Sequence, residues 1–149
     1  MRAKYQVLII PFKMEKDKIK YGIFKRSDMD AYQAIAGGGE EGETILESAQ
    51  RELLEETGLR KRELIKLDSV ASIPASCFKE SKYWGKETYV VNEYAFAVLL
   101  NDDDDITLSS EHLFFEFVDY DKAREKLKYD SNRTALYELN ERIKNNDLF

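Results

Sequence analysis

Apolar residues fall in short runs separated by charged turns, and their spacing lays out the expected elements. Residues 5–12 and 19–24 are rich in Ile, Val, Tyr and Phe and flank Glu15-Lys16-Asp17-Lys18, so two strands joined by a turn are expected. A short strand over 31–36 would run into Gly37-Gly38-Gly39, which no regular element tolerates without purpose. The clearest helix covers 44–57. Leu46, Ala49 and Leu53 share one face, Glu43 or Thr44 stands at the cap, and Gly58 is the usual left-handed stop. Residues 63–74 and 88–100 read as strands, separated by a loop over 76–86 that carries Phe78, Tyr83 and Trp84. A strand over 112–118 follows, then a helix capped by Asp119 or Asp121 through about Lys128, and a last helix from Ser131 to about Lys144. Elements in this order predict an α/β (α+β) sandwich built on a mixed β-sheet.

Composition narrows the picture without changing it. With 149 residues, 43% hydrophobic and 35% charged, the chain fits one folded domain, 1–149. A net charge of −6 argues against an extended nucleic-acid-binding surface, which would need clustered Lys and Arg. An anionic small molecule stays open, because divalent cations can sit between acidic side chains and phosphates. The single cysteine, Cys77, makes no intrachain disulfide, and the bland reading is an ordinary small side chain. The apolar run near the N-terminus contains Pro11 and is followed by charges, so it reads as a strand rather than a membrane span or signal, with the cytoplasm as the expected location. The run Asp102 to Asp105 looks like a metal site at a glance. Consecutive carboxylates alternate in direction and repel one another, so a solvated turn is expected.

The helix over 44–57 is more informative. Glu52, Glu55 and Glu56 stand at i, i+3 and i+4, within one arc of the helix surface. Like charges so placed destabilise an isolated helix by a few tenths of a kcal/mol per pair, roughly. Arg51 can offset part of this through Glu47 and Glu55, each four residues away. Converging carboxylates without His or Cys are hard oxygen donors, better suited to Mg²⁺ or Mn²⁺ than to zinc. From spacing alone, a solvated acidic face is the simpler account.

The wider spacing changes that balance. Gly37, five residues, Glu43, seven residues, then Arg51-Glu52-Leu53-Leu54-Glu55-Glu56-Thr57-Gly58-Leu59 resembles the Nudix box at every specified position. The resemblance implies the family's α/β/α sandwich and a Mg²⁺-dependent hydrolase of phosphoanhydride bonds, with Mn²⁺ as an alternative metal. It implies Glu52, Glu55 and Glu56 as metal ligands and catalytic carboxylates, with a backbone carbonyl near Ala36 or Gly37 completing the set. Arg51 is expected to orient the catalytic glutamate, Glu43 to steady the loop–helix junction, and Gly37 and Gly38 to let the loop turn tightly.

Outside the box, Glu111-His112-Leu113, Glu116-Phe117-Val118, Ser131-Asn132-Arg133 and Tyr32-Gln33 resemble the dATP or dihydroneopterin triphosphate pyrophosphohydrolase branch of that family. By that likeness Glu111 is a further metal ligand or the base. Arg26, Gln33 and Arg133 are candidates for gripping substrate, with Lys25 beside Arg26, although a hairpin end or a helix cap explains the basic residues equally. His112 reads as a packing histidine with a site role as the alternative, and the aromatic loop as packing or base stacking. The implied partner is a small nucleotide-like substrate, cleaved to a monophosphate and pyrophosphate; homodimer formation is left open. ADP-ribose, a dinucleoside polyphosphate or an RNA 5′ end are the competing substrates. A nucleotide-sensing module without catalysis is the competing class.

Overall fold

The first two strands extend beyond the apolar runs that predict them. In the computed structural model, which describes residues 1–60 and 62–148, β1 spans Arg2–Glu15 and β2 spans Lys18–Arg26. They pair antiparallel as far as Glu15 and Lys18. Between them Lys16 and Asp17 both take positive φ, 50° and 64°, the mirror-image turn whose twist suits a two-residue hairpin. Next come β3 (Tyr32–Gln33), β4 (Ile35–Glu40), helix α1 (Ile45–Thr57) and β5 (Leu64–Pro74). Two short 3-10 turns (Ala75–Cys77 and Lys79–Tyr83) lead to β6 (Val90–Leu99), β7 (His112–Val118) and helices α2 (Tyr120–Lys126) and α3 (Asp130–Lys144). The seven strands form one mixed sheet in the order β3-β2-β1-β6-β5, with β4 added to β1 and β7 to β2. β1 and β6 run parallel, and every other pairing is antiparallel.

Side chains of β1 alternate between two cores. Leu8, Ile10 and Phe12 pack with Leu136 and Leu139 of α3, whereas Val7 and Ile9 pack with Ala49 and Leu53 of α1. Helices cover both faces, which is why the run is apolar throughout instead of alternating with polar residues. The helices and mixed sheet give the α+β sandwich expected. No helix among the described residues is long and apolar enough to cross a membrane.

Three local expectations change. The glycines lie inside β4, not in a loop, and neither Gly37 nor Gly38 takes a positive φ. Their smallness serves close approach: a Cβ on Gly37 would strike the Glu52 carboxylate, and one on Gly38 the Arg2 guanidinium. On α1, Leu46 is 45% exposed and Ile45, four residues before Ala49, joins the core in its place. At α3 the capping position is Tyr129, with no side-chain cap. Ser131 therefore sits in the first turn, and the next residue does the anchoring, since Asn132 Oδ1 accepts from Ala34 N at 2.8 Å. The aspartate run is a turn as expected, with Asp102, Asp103 and Asp105 exposed and Asp104 clasped by Arg62 at 2.6 and 3.1 Å.

Candidate active site

The start of α1 is fastened before it presents anything. Thr44 caps it by accepting from Glu47 N, and Glu47 returns a bond to Thr44 N, a reciprocal box that satisfies two free backbone donors. Glu47 is thereby committed to the cap, and Arg51 turns to other partners. Its Nε donates to Glu43 Oε2 at 2.7 Å, its Nη2 to the Gly38 carbonyl at 2.7 Å, and its Nη1 to Glu52 Oε1 at 2.9 Å. Glu55 stands at 3.3 Å from the same guanidinium. Arg51 thus ties β4, the connecting loop and two box glutamates into one unit. Glu43 also accepts from Ser48 Oγ and from Glu40 N, and the Arg51 guanidinium holds its carboxyl down to about 2.

The buried stripe of α1 includes Glu52 and Glu56 beside Ala49 and Leu53. Glu52 lies against Gly37, and burial pushes its carboxyl up to about 7; Arg51 opposes the rise while Glu55 and Glu56 add to it. Glu56 is equally enclosed but ends lower. Burial raises it, and the neighbouring His112 and Ser109 outweigh burial and hold it below the usual carboxylate range. Ser109 Oγ donates to Glu56 Oε2 at 2.6 Å. His112 Nδ1 is 3.2 Å from the same oxygen, close enough for an ion pair but not aligned as a hydrogen bond. Its Nε2 is 3.3 Å from Gln33 Nε2, and Gln33 Oε1 accepts from Arg26 Nη1 at 3.3 Å. Glu111 feels the same crowding: burial, then the Glu56 charge, raise its carboxyl, and His112 and Arg26 counter them.

Several of these groups border one cleft of about 930 Å³, large enough for a nucleotide. Gly37, Arg51, Glu52 and Glu55 line one wall, and Arg26, Gln33 and Glu111 line another part. Glu56 is set behind this surface, against His112 and Ser109. Arg133 is turned away: its Nη1 donates to the carbonyls of Leu127 and Lys128, and its Nη2 pairs with Asp130. It closes the end of α2. Lys25 pairs with Asp30. Of the aromatic loop, Trp84 is buried, Tyr83 is 62% exposed, and Phe78 lies under the Arg2 guanidinium at 4.6 Å.

Sequence reading passed over Arg2, Gln6, Glu93 and Ser109. Glu93 had a visible signal, a carboxylate in the middle of the apolar run that becomes β6. The others had none, because only the fold brings Ser109 to Glu56.

Whether the wall suits a hard divalent cation follows from its donors. Glu52, Glu55 and Glu56 offer only carboxylate oxygens, crowded enough that burial and mutual repulsion push Glu52 up, and a cation would relieve that. Among the described residues no three acidic, His or Cys side chains are already gathered as a ligand set. Each glutamate is held by a protein partner instead, Glu52 by Arg51 and Glu56 by Ser109 and His112. The donor chemistry fits Mg²⁺ or Mn²⁺; binding would require those glutamates to share or exchange partners.

A family model described as the NUDIX domain matches residues 6–139. The fold superposes on a structure assigned to the NUDIX hydrolases from Listeria monocytogenes, with a TM-score of 0.89, 45% identity and 98% of each chain covered. It also resembles the E. coli dihydroneopterin triphosphate pyrophosphohydrolase (TM-score 0.75, 23% identity, 93% of this chain and 97% of that one). A C. elegans Ap4A hydrolase gives a TM-score of 0.75 at 17% identity, over 96% and 99%. Both of the latter speak to fold alone. Among curated proteins, an octanoyltransferase from Myxococcus xanthus is 36% identical over 107 residues, 70% of this chain. The chain spans only 27% of that relative's length.

Proposed function

This chain belongs to the NUDIX domain family, and from that premise we propose that it is a Mg²⁺-dependent pyrophosphohydrolase of a nucleoside triphosphate or a related compound. The observation that carries the reading is the shared cleft, where Glu52 and Glu55 of α1 and the basic and amide groups of Arg26 and Gln33 border the same space. Glu52, Glu55 and Glu56 would hold the metal, with Glu111 as a further ligand or the base. When bound, the cation would neutralise phosphate charge and lower the pKa of a coordinated water.

The protein's own groups divide the remaining tasks. Arg51 fixes the rotamer of Glu52 and locks β4 to α1, so the carboxylates are placed before substrate arrives. Arg26, drawn towards Asp28 and Gln33, is the cleft's candidate for a phosphate oxygen. Glu111, exposed beside the crowded carboxylates, is raised in pKa and is suited to taking a proton from water. Cleavage between the α- and β-phosphates then yields a nucleoside monophosphate and pyrophosphate.

Product analysis tests the reading. Triphosphates, a dinucleoside tetraphosphate and ADP-ribose would be offered with Mg²⁺ and with a chelator. Pyrophosphate release from a triphosphate, abolished by the chelator, is the expected result. Turnover of the dinucleoside or ADP-ribose alone would reassign the substrate, and tight nucleotide binding without turnover would make the chain a sensor.

A further inference from the structure

Away from the box, β1 and β6 run parallel with Gln6 in register with Glu93, and Ala71 of β5 pairs across from Glu93. Glu93 is 4% exposed and lines the cleft. A smaller recess of about 180 Å³ shares Ala71, Glu93 and Ser131 with it. Glu93 Oε2 accepts from Gln6 Nε2 at 2.8 Å, and Gln6 Oε1 accepts from Arg2 Nη2 at 3.0 Å. Arg2 is itself held, its guanidinium over the Phe78 ring and its carbonyl accepting from Trp84 Nε1. The order of donors is therefore fixed: the Gln6 amide can only turn its NH₂ to Glu93, because Arg2 claims its oxygen. Glu93 Oε1 has no hydrogen-bond partner among the described residues. A buried carboxylate oxygen left unsatisfied is costly and calls for an explanation. Here its neighbour is a cleft wide enough for a nucleotide.

We propose that Glu93, oriented by Gln6 and Arg2, selects the substrate's ring, and that the ring presents an N–H beside an exocyclic amine on one edge. Guanine and the pterin ring both carry this 2-amino-lactam edge. Its two donors meet Glu93 Oε1 and the second lone pair of Oε2. Adenine and cytosine set a ring-nitrogen acceptor beside their amine, which would face the carboxylate lone pairs. Uracil and thymine flank their single N–H with two carbonyls. The inference rests on the triphosphate-cleaving reading above and names the base that reading left open.

The test is kcat/KM for GTP, ATP, CTP and UTP, by pyrophosphate release, on the native protein and on Glu93→Gln. The native protein is expected to favour GTP over ATP by about 10- to 100-fold, the span of one well-made edge contact. In Glu93→Gln the new amide must turn its oxygen to the Gln6 NH₂, so its own NH₂ points at the ligand. The preference should then invert, with GTP falling by a similar factor and ATP holding or rising. A uniform fall across all four would mean that Glu93 only props Gln6 and Arg2, and would overturn the proposal, as would a native protein with no guanine preference. Thermal melting of the variant separates these results from unfolding. Should no triphosphate be cleaved, the functional reading fails on its own. Calorimetric titration of GMP against AMP on both proteins then still decides the role of Glu93, by the same inversion.

Discussion

Residues 102–105 and the inward face of α1 are both dense in carboxylates, and the fold treats them in opposite ways. In the turn, consecutive side chains diverge; Asp102, Asp103 and Asp105 reach solvent, and Asp104 is clasped by Arg62. On α1, spacing of three and four residues gathers Glu52, Glu55 and Glu56 on one arc, where Glu52 and Glu56 are buried and Glu55 stays exposed at its rim. Water disperses the first set of charges. In the second, burial and neighbouring carboxylates push Glu52 up to about 7, while Arg51, His112 and Ser109 hold the array in place. Density of charge is therefore a poor guide to a site. Direction and enclosure separate the two.

The largest expected effect breaks the enclosed set. Glu56→Gln keeps the shape and the bond from Ser109 but removes the charge. The activity should fall about 10²-fold or more, as when a ligand or positioned acid–base group is lost. The melting temperature should change little, and steady-state kinetics against Mg²⁺ concentration would show whether excess metal restores turnover. Full activity in this variant would remove Glu56 from the site.

Next comes the contact that brings β4 to the helix. Gly37→Ala places a methyl group into the Glu52 carboxylate. Either β4 retreats or Glu52 leaves Arg51, at a cost of about 1–3 kcal/mol for overpacking and a loss of activity larger than the loss of stability explains. Denaturant unfolding paired with kcat is the check. A variant with native stability and native turnover would mean that Glu52 does not rest on Gly37.

Residue pattern exposed much of this and missed the rest for physical reasons. The apolar runs foretold β2, β6 and β7 closely, and the cap at Thr44 and stop at Gly58 bounded α1, because those features depend on neighbours in sequence. The glycine triplet reads in sequence as a loop. Its true constraint, a carboxylate and a guanidinium laid on a strand, comes from Glu52 and Arg2, which are distant along the chain. Arg133 was a phosphate candidate by composition of its turn, yet the carbonyls at the end of α2 satisfy it first. The box glutamates were legible as a family resemblance. Arg51 beside Glu52 and Glu55 was legible too, but the partners of Glu56 were not, since Ser109 and His112 meet it only through the placement of β7 beside β2.

A smaller effect sharpens the comparison through pH. Glu43 is held at about 2, against an ordinary value of 4.5, chiefly by Arg51. The folded chain therefore binds this proton less readily than the unfolded one. The stabilisation is complete above about pH 4.5 and is lost as pH falls towards 2. Glu43→Gln should lower the melting temperature at neutral pH and flatten its decline across that acid range. Parallel curves for the two proteins would show that Arg51 does not depend on the Glu43 charge.

The smallest effect belongs to the turn, and it is the control that gives the others meaning. Asp103 is exposed, so Asp103→Asn removes one charge from a group already dispersed by water. Stability should move by no more than about 0.5 kcal/mol, a span that includes the relief of repulsion with the neighbouring aspartates. Turnover and its Mg²⁺ dependence should be unchanged within error. If Asp103→Asn instead weakened the response to Mg²⁺, the aspartate turn would be a cation site in its own right. The contrast with α1, between carboxylates that solvent separates and carboxylates that the sheet forces together, would then fail at its simpler end.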